Sequence, residues 1–299
     1  KKLFVKSYLA SFIIFTLFYG YGVYMADQDL EGKHLKVAAI TSDLVITPTL
    51  MQTQKIIDAN TQTMFERTKK AASQGAKIIA WNEGGTIITK EQESAFLQQA
   101  KALCKETNSS TFFAYIVPIQ NNMYENKYVF INNNGTVLDT YLKHRPVPGE
   151  PVIQGKEPIL AHTIEDIKVG GAICFDYDFV DICLQNANNH ISLAVVPSSD
   201  WKGIDDYHAK MAMVRAIEGG YSLLRPVRGA TSIASDAHGN IRASISYFEN
   251  SDKVMMASLP VKEIRTLYER VGDLFVWLNL LFILIIAGVY LKNRYLIST

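Results

Sequence analysis

Cysteine is scarce in this 299-residue chain: Cys104, Cys174 and Cys183 are the only three, and no two stand at CxxC spacing. That excludes a disulfide framework and a cysteine-based zinc site. The six histidines include no HExxH pair, so a common zinc-hydrolase signature is missing too. There is no GxGxxG, no Walker-type loop and no GxSxG, which removes the usual dinucleotide, nucleotide and serine-hydrolase readings. Neither sign of charge dominates: 30 Lys and Arg face 29 Asp and Glu, a net +1. With no basic stripe, nucleic acid is not an expected partner. Internal repeats and low-complexity tracts are absent. Nothing in the pattern calls for a metal or a cofactor.

Hydrophobicity, by contrast, is concentrated at two places. Ser7 to Ala26 (SYLASFIIFTLFYGYGVYMA) carries no charge and has the length of a membrane span. Its basic start raises a signal peptide, but the apolar part is long and no A-x-A-like cleavage site follows, which favours a retained helix. Leu274 to Leu291 (LFVWLNLLFILIIAGVYL) is a second run, near the chain end between Asp273 and Lys292, and reads as a span rather than a core helix. Lys1, Lys2 and Lys6 precede the first run; Lys292 and Arg294 follow the second. Positive flanks mark the cytoplasmic side. The expected organisation is a transmembrane helix over 1–26 with a cytoplasmic basic end, an extracytoplasmic catalytic domain over 27–273, and a second transmembrane helix with a short cytoplasmic tail over 274–299. A chain that begins with Lys rather than Met is expected to be a segment of a longer, multi-pass protein of the cell membrane.

Between the spans, strand and helix patterns alternate. Leu35–Ile40 and Ala76–Trp81 read as buried strands, with a helix over Thr53–Gln74 between them whose apolar face is Ile56, Ile57, Met64 and Phe65. A helix over Lys90–Lys105 follows, then strands over Thr111–Ile119 and Lys127–Ile131. Asn132 to Gly135 (NNNG) is a strong hairpin turn into Thr136–Leu142. Ile167–Ile173 is a strand ending at Cys174, followed by a helix to Ala187 and a strand over Ile191–Pro197. A helix over Asp205–Gly219 and strands over Ser222–Val227, Thr231–Ser235, Ile241–Phe248 and Val254–Ser258 complete the series. This pattern predicts an α/β fold, a mixed sheet with helices on its faces or two apolar sheets stacked between helix layers.

Three residues with distinct chemistry sit at strand ends, where ligands gather in open α/β sheets. Glu83 follows AKIIAW, Lys143 ends TVLDTYL, and Cys174 ends IKVGGAI. Taken singly, each has an ordinary reading: a loop carboxylate, an exposed hairpin cation, a small buried thiol. Together they fit one mechanism. The thiolate is the nucleophile, so the thiol needs a base, and Glu83 supplies one. Lys143 and the backbone N–H of Phe175 stabilise the oxyanion that forms on an attacked carbonyl, and the Lys143 charge is expected to lower the cysteine pKa. Gly84-Gly85 and Gly170-Gly171 allow close backbone approach beside two of the three.

At this point the sequence resembles a known family, the nitrilase or carbon–nitrogen hydrolase superfamily, whose mark is a Glu–Lys–Cys triad in that chain order. WNE (Trp81 to Glu83) is similar to its first motif and YLKHRPVPGE (Tyr141 to Glu150) to its lysine motif, with a second Glu a short loop later. GGAICFDYDF resembles the nucleophile motif; VVPSSDWKG and MVRAIEGGYSLLRPVRGATSIASDAHGNI resemble downstream segments. The resemblance implies a nitrilase-type α-β-β-α sandwich over roughly Leu35 to Ser258, with Glu83, Lys143 and Cys174 catalytic. It assigns supporting places to Glu150, Phe175 and Asp176. Trp81, Tyr177 and Trp201 are candidate substrate-binding aromatics, with core packing as the alternative.

The membrane frame is most similar to the apolipoprotein N-acyltransferase branch. That resemblance implies a phospholipid acyl donor, a thioester on Cys174 and transfer to the N-terminal amine of a lipoprotein. Two positions depart from it. Asn82 stands where proline is common. Asp176 stands where the acyltransferases usually carry Glu and many soluble amidases carry Asp. The alternatives are a membrane-tethered hydrolase of a small amide or nitrile, a non-catalytic ectodomain that binds a partner, and a papain-like pairing of Cys174 with His208. Arg215 and Glu218 are expected to pair on one helix. Cys104 and Cys183 are expected to be inert.

Overall fold

In the computed structural model the described residues are 2–28, 30, 32–45, 52–249 and 252–298. Five strands follow the N-terminal helix α1 (Lys2–Asp27): β1 (His34–Ile40), β2 (Ile78–Trp81), β3 (Ser110–Pro118), β4 (Tyr124–Ile131) and β5 (Val137–Leu142). Helices α2 (Gln54–Ser73) and α3 (Glu93–Thr107) connect the first three. The second half holds β6 (His162–Ile164), β7 (Ile167–Gly171), α4 (Val180–Asn188), β8 (Leu193–Val195), β9 (Ser198–Ser199) and α5 (Asp205–Gly219). It ends with β10 (Ser222–Arg225), β11 (Val227–Arg228), β12 (Thr231–Ser235), β13 (Ile241–Ser246), β14 (Val254–Pro260), α6 (Leu267–Val271) and α7 (Leu274–Ser298).

Two six-stranded sheets form, in the orders β14-β1-β2-β3-β4-β5 and β13-β12-β10-β8-β7-β6. β1, β2 and β3 run parallel, as do β7, β8 and β10. The parallel strands are linked by helices, as a parallel connection requires. Alternation along each strand sorts side chains to two faces. Val37, Ala39, Phe112 and Ala114 join Val169, Leu193 and Leu223 in the core between the sheets. Ala38, Ile40, Phe113 and Tyr115 face the other way and pack with Met64, Phe65 and Phe96 of α2 and α3. Ala209, Ala212 and Ala216 of α5 cover the second sheet. The four layers are therefore helix, sheet, sheet, helix, as the sequence predicts.

Differences from the sequence reading are local. The buried stripe of α2 is Ile57, Met64, Phe65, Thr68 and Ala71, while Ile56 is exposed. A step of 100° per residue puts Ile56 just outside that stripe. β7 stops at Gly171, so Cys174 begins a 3₁₀ turn (Cys174–Asp178) rather than ending a strand. The short strand β6 and the short helix α6 carried too little pattern to be read.

Among the described residues, one helix, Leu274–Lys292, is long and apolar enough to cross a membrane. Its side chains face outward throughout, as at Phe275, Trp277 and Leu284. The Ser7–Ala26 run is helical too and exposes Phe12, Leu17 and Tyr21. It is less apolar because Tyr8, Tyr19, Tyr21, Tyr24, Gly20 and Gly22 interrupt it.

Candidate active site

The three strand-end residues meet in one place. Asn82, leaving β2, fixes the first turn: its Oδ1 accepts from Ser42 N–H at 2.7 Å and its Nδ2 donates to the Glu83 carbonyl at 2.8 Å. Gly84 follows at φ +60°, a left-handed conformation suited to glycine. Glu83 is thereby turned inward and buried.

Lys143 follows β5, and its N–H donates to Asn126 O at 2.9 Å, extending the β4–β5 ladder. Its Nζ donates to Glu83 Oε1 and to Glu150 Oε2, each at 2.8 Å. Asn126 Nδ2 ties the same two carboxylates from behind, at 2.7 Å to Glu83 and 3.2 Å to Glu150. Tyr124 OH and Val147 N–H also donate to Glu150, at 3.3 and 2.9 Å. Burial opposes the Lys143 charge, but the carboxylates of Glu83 and Glu150 outweigh it and hold the ammonium well above its ordinary pKa.

Cys174 sits at φ +49°, unusual for a residue with a Cβ, and its N–H donates to Pro197 O at 2.9 Å. Gly171 just before it allows β7 to lie flush on β8: a Cβ there would fall 2.0 Å from Val195 O. Asp176 holds the turn. Its Oδ2 accepts from Ile173 N–H and Tyr141 OH at 3.0 and 2.8 Å, and its Oδ1 from His144 N–H and Arg145 N–H at 3.1 and 2.6 Å. One carboxylate thus bolts the nucleophile turn to the lysine loop. Burial pushes its pKa up to about 6 despite these donors. The neighbouring amides of Cys174 and Asp176 are engaged by Pro197 O and Ile173 O. Phe175 N–H stands at the second position of the turn, still within the opening residues for which helical geometry supplies no acceptor.

Glu83, Lys143, Glu150 and Cys174 line one cavity of about 160 Å³, with Asn126 and Arg228 beside them. The Cys174 thiol is pushed well above its ordinary pKa by burial, then by the charges of Glu83 and Asp200; Lys143 and Arg225 pull the other way and lose. The lowering expected from Lys143 is therefore present but outweighed. The resting group is a neutral thiol that needs a base.

Behind the sulfur lies a buried ion cluster that the sequence did not announce. Cys174 Sγ donates weakly to Asp200 Oδ1 at 3.8 Å and to Ser199 O at 3.9 Å. Asp200 is held by Arg225 at 2.9 Å and by His208 Nδ1 at 2.7 Å, while His208 Nε2 meets Asp178 at 3.0 Å. Burial opposes a proton on His208, but Asp178 and Asp200 outweigh it and raise its pKa. With carboxylates at both ring nitrogens, His208 does not contact the sulfur and is poorly placed as its base. Cys174, Asp200 and His208 offer a metal-type donor set. Arg225 Nη2, however, already lies 2.9 Å from both Asp200 and His208, so a guanidinium occupies the cation's place.

The candidate aromatics do not gather at the cavity. Trp81 is fully buried on the helix-facing side of its sheet, packed tilted or edge-on among Phe65, Phe96 and Phe113, with Nε1 donating to Thr68 Oγ1 at 2.9 Å. Tyr177 is buried against Tyr221 and Asn186. Trp201 is 60 % exposed, one residue past Asp200. Phe175 packs edge-on against Phe179. Cys104 and Cys183 are buried neutral thiols, and Arg215 and Glu218 pair on α5. Sequence reasoning missed Asn126, Asp200, Arg225 and Arg228. Their signal was a polar side chain inside or just after an apolar strand, as in the Arg of SLLR.

A four-layer sandwich with a buried carboxylate, ammonium and thiol around one cavity defines a nitrilase-type cysteine enzyme. The chain belongs to the carbon–nitrogen hydrolase family, whose model matches residues 37–269. It is similar to the apolipoprotein N-acyltransferase of Shewanella oneidensis, 24% identical over 238 residues, covering 66% of this chain and 45% of that protein. The enzyme of the same name from Geobacter metallireducens is 23% identical over 302 residues, covering 91% of this chain and 57% of that one. The chain spans about half the length of the curated relatives it matches. Among solved structures, an amidase from Nesterenkonia sp. superposes with a TM-score of 0.66 at 16% identity, covering 84% of this chain and 97% of that one. A cysteine variant of that amidase in complex with butyramide gives 0.64 at 15% identity, covering 83% and 97%. At that identity the likeness concerns the fold.

Proposed function

We propose that the chain is the extracytoplasmic catalytic part, residues 27–273, of a membrane-bound acyltransferase, held by helices over 1–26 and 274–299 whose outer ends are cytoplasmic. The observation that carries this reading is the single cavity in which Glu83, Lys143 and Cys174 meet. The acyltransferase branch is supported by the names of the curated relatives and by the apolar helix Leu274–Lys292.

The reaction runs in two halves. The Cys174 sulfur attacks the ester carbonyl of a phospholipid as Glu83 takes the thiol proton; Glu83 Oε1 is engaged by Lys143 and Asn126, which leaves Oε2 for that proton. Lys143 Nζ and Phe175 N–H stabilise the oxyanion, each such donor being worth about 2.7–4 kcal/mol of barrier. The tetrahedral carbon then expels the lysophospholipid alkoxide, which takes the proton back from Glu83. A thioester remains on Cys174. In the second half a lipoprotein N-terminal amine attacks the thioester, Glu83 accepts the amine proton, and the sulfur leaves as the thiol. Glu150 and Asn126 hold Lys143 and Glu83 in register throughout.

Two observations favour a second reading, a tethered hydrolase of a small amide. The cavity of about 160 Å³ is below the roughly 300–1,000 Å³ of pockets that enclose whole drug-sized ligands, and Asp176 matches the soluble amidases. The deciding experiment supplies the full chain with radiolabelled phospholipid and a diacylglyceryl peptide, and separately with butyramide. Label moving to the peptide amine supports the transferase. Lipid-independent ammonia release without any labelled peptide selects the hydrolase.

A further inference from the structure

The cavity beside Cys174 contains two cations, and only one is spoken for. Lys143 is clasped by Glu83 and Glu150. Arg228 lines the same cavity, is half-buried, and has no carboxylate partner among the described residues; Nη2 donates to Ser199 Oγ at 2.7 Å. Ser199 is also the residue whose carbonyl lies 3.9 Å from Cys174 Sγ. The guanidinium is therefore one residue removed from the sulfur.

Its placement is built into the backbone. β11 pairs with β9 in parallel, setting Arg228 opposite Ser199, and Asp200 N–H donates to Arg228 O at 2.9 Å. Gly229 follows at φ +76°, where a Cβ would fall 2.4 Å from Asp200 O. The strand carrying Arg228 is thus pressed against the segment that supports the nucleophile.

We propose that Arg228 is a specificity-determining residue that binds an anionic oxygen group, a carboxylate or phosphate, on the substrate being attacked at Cys174. This rests on the role of Cys174 as nucleophile proposed above, common to both readings, and names the substrate class of that site. A planar guanidinium matches both groups with paired N–H donors. A substrate neutral at this position would strip water from Arg228 and return no acceptor, which is costly for a cation. The phosphate of a lipid headgroup and the carboxylate of a dicarboxylic half-amide present the same chemistry.

The test needs no turnover, so its outcome is separate from that of the acyltransferase assay. Cys174 in the full chain is alkylated with iodoacetate and with neutral iodoacetamide, and the ratio of the two rates is compared in wild type, Arg228→Gln and Arg228→Lys. The expected result is a fall of about tenfold in the ratio for Arg228→Gln, the size of one charge-assisted contact. Arg228→Lys should recover part of it, which separates charge from misfolding. In a second arm, sn-glycerol 3-phosphate and succinamate are tried as protectants of wild-type Cys174 against iodoacetamide. Protection by the first marks a headgroup phosphate; protection by the second marks a soluble half-amide. An unchanged ratio in Arg228→Gln, or protection by neither compound, overturns the proposal.

Discussion

Replacing Lys143 by methionine removes a buried charge while keeping most of its volume. Two carboxylate oxygens, from Glu83 and Glu150, each lie 2.8 Å from Nζ in the native site. Without the ammonium they face each other. At a separation of about 5 Å and an effective dielectric of about 20, their repulsion is about 3 kcal/mol. Lys143→Met is therefore expected to lose about 3 kcal/mol of stability at pH 7. The wild-type lysine contributes no pH slope near neutrality: its raised pKa means its contribution is complete below about pH 10.5 and is lost only above that. The assay is urea denaturation of the detergent-solubilised chain between pH 5.5 and 8, read by tryptophan fluorescence. Lys143→Met with Glu150→Gln should regain the stability but not the chemistry. A loss below about 1 kcal/mol at pH 7, or no recovery of stability in the double variant, would refute this electrostatic account of the site.

His208 is raised by Asp178 and Asp200 against its burial, so its contribution to stability is complete below about pH 6.5 and declines as pH rises through the raised value. His208→Gln should abolish that decline in a stability–pH series. Gly171→Ala should fail to accumulate as folded protein, because the added methyl would fall 2.0 Å from Val195 O, a backbone atom that cannot move aside; gel filtration in detergent checks this. Trp81→Phe should cost about 1–3 kcal/mol through lost packing and the lost bond to Thr68, while leaving KM unchanged, since the ring faces α2 and α3 rather than the cavity. A tenfold rise in KM would return Trp81 to the substrate.

Most strands were legible because their apolar runs end in turn residues, and NNNG marks its hairpin by local turn chemistry alone. Glu83, Lys143 and Cys174 were legible as candidates because each follows a strand, and ligands gather at strand ends in open α/β sheets. What joins them was not legible. Asp176 stands two residues after the cysteine, but its Oδ1 accepts from His144 and Arg145 N–H, more than thirty residues earlier in sequence. The cluster of Asp178, Asp200, His208 and Arg225 comes from four separate elements, and no local spacing connects them. Trp81 shows the limit of proximity in sequence: two residues from Glu83, it is the last residue of β2 and packs toward α2 and α3, whereas Glu83 lies past the strand end in the turn that sends its carboxylate into the cavity. The sign of the Cys174 shift also escaped sequence reasoning, since burial outweighs the lysine charge that the chain order suggests.

The central claim, a covalent intermediate on Cys174 formed with Glu83 as base and Lys143 beside it, is tested most directly by peptide-mapped mass spectrometry of the full chain after exposure to phospholipid. The account predicts a hydroxylamine-labile acyl group on the Cys174 peptide, absent in Cys174→Ala and strongly reduced in Glu83→Gln and Lys143→Met. An acyl group found on another residue, or one on Cys174 that forms equally fast without Glu83 and Lys143, would contradict it.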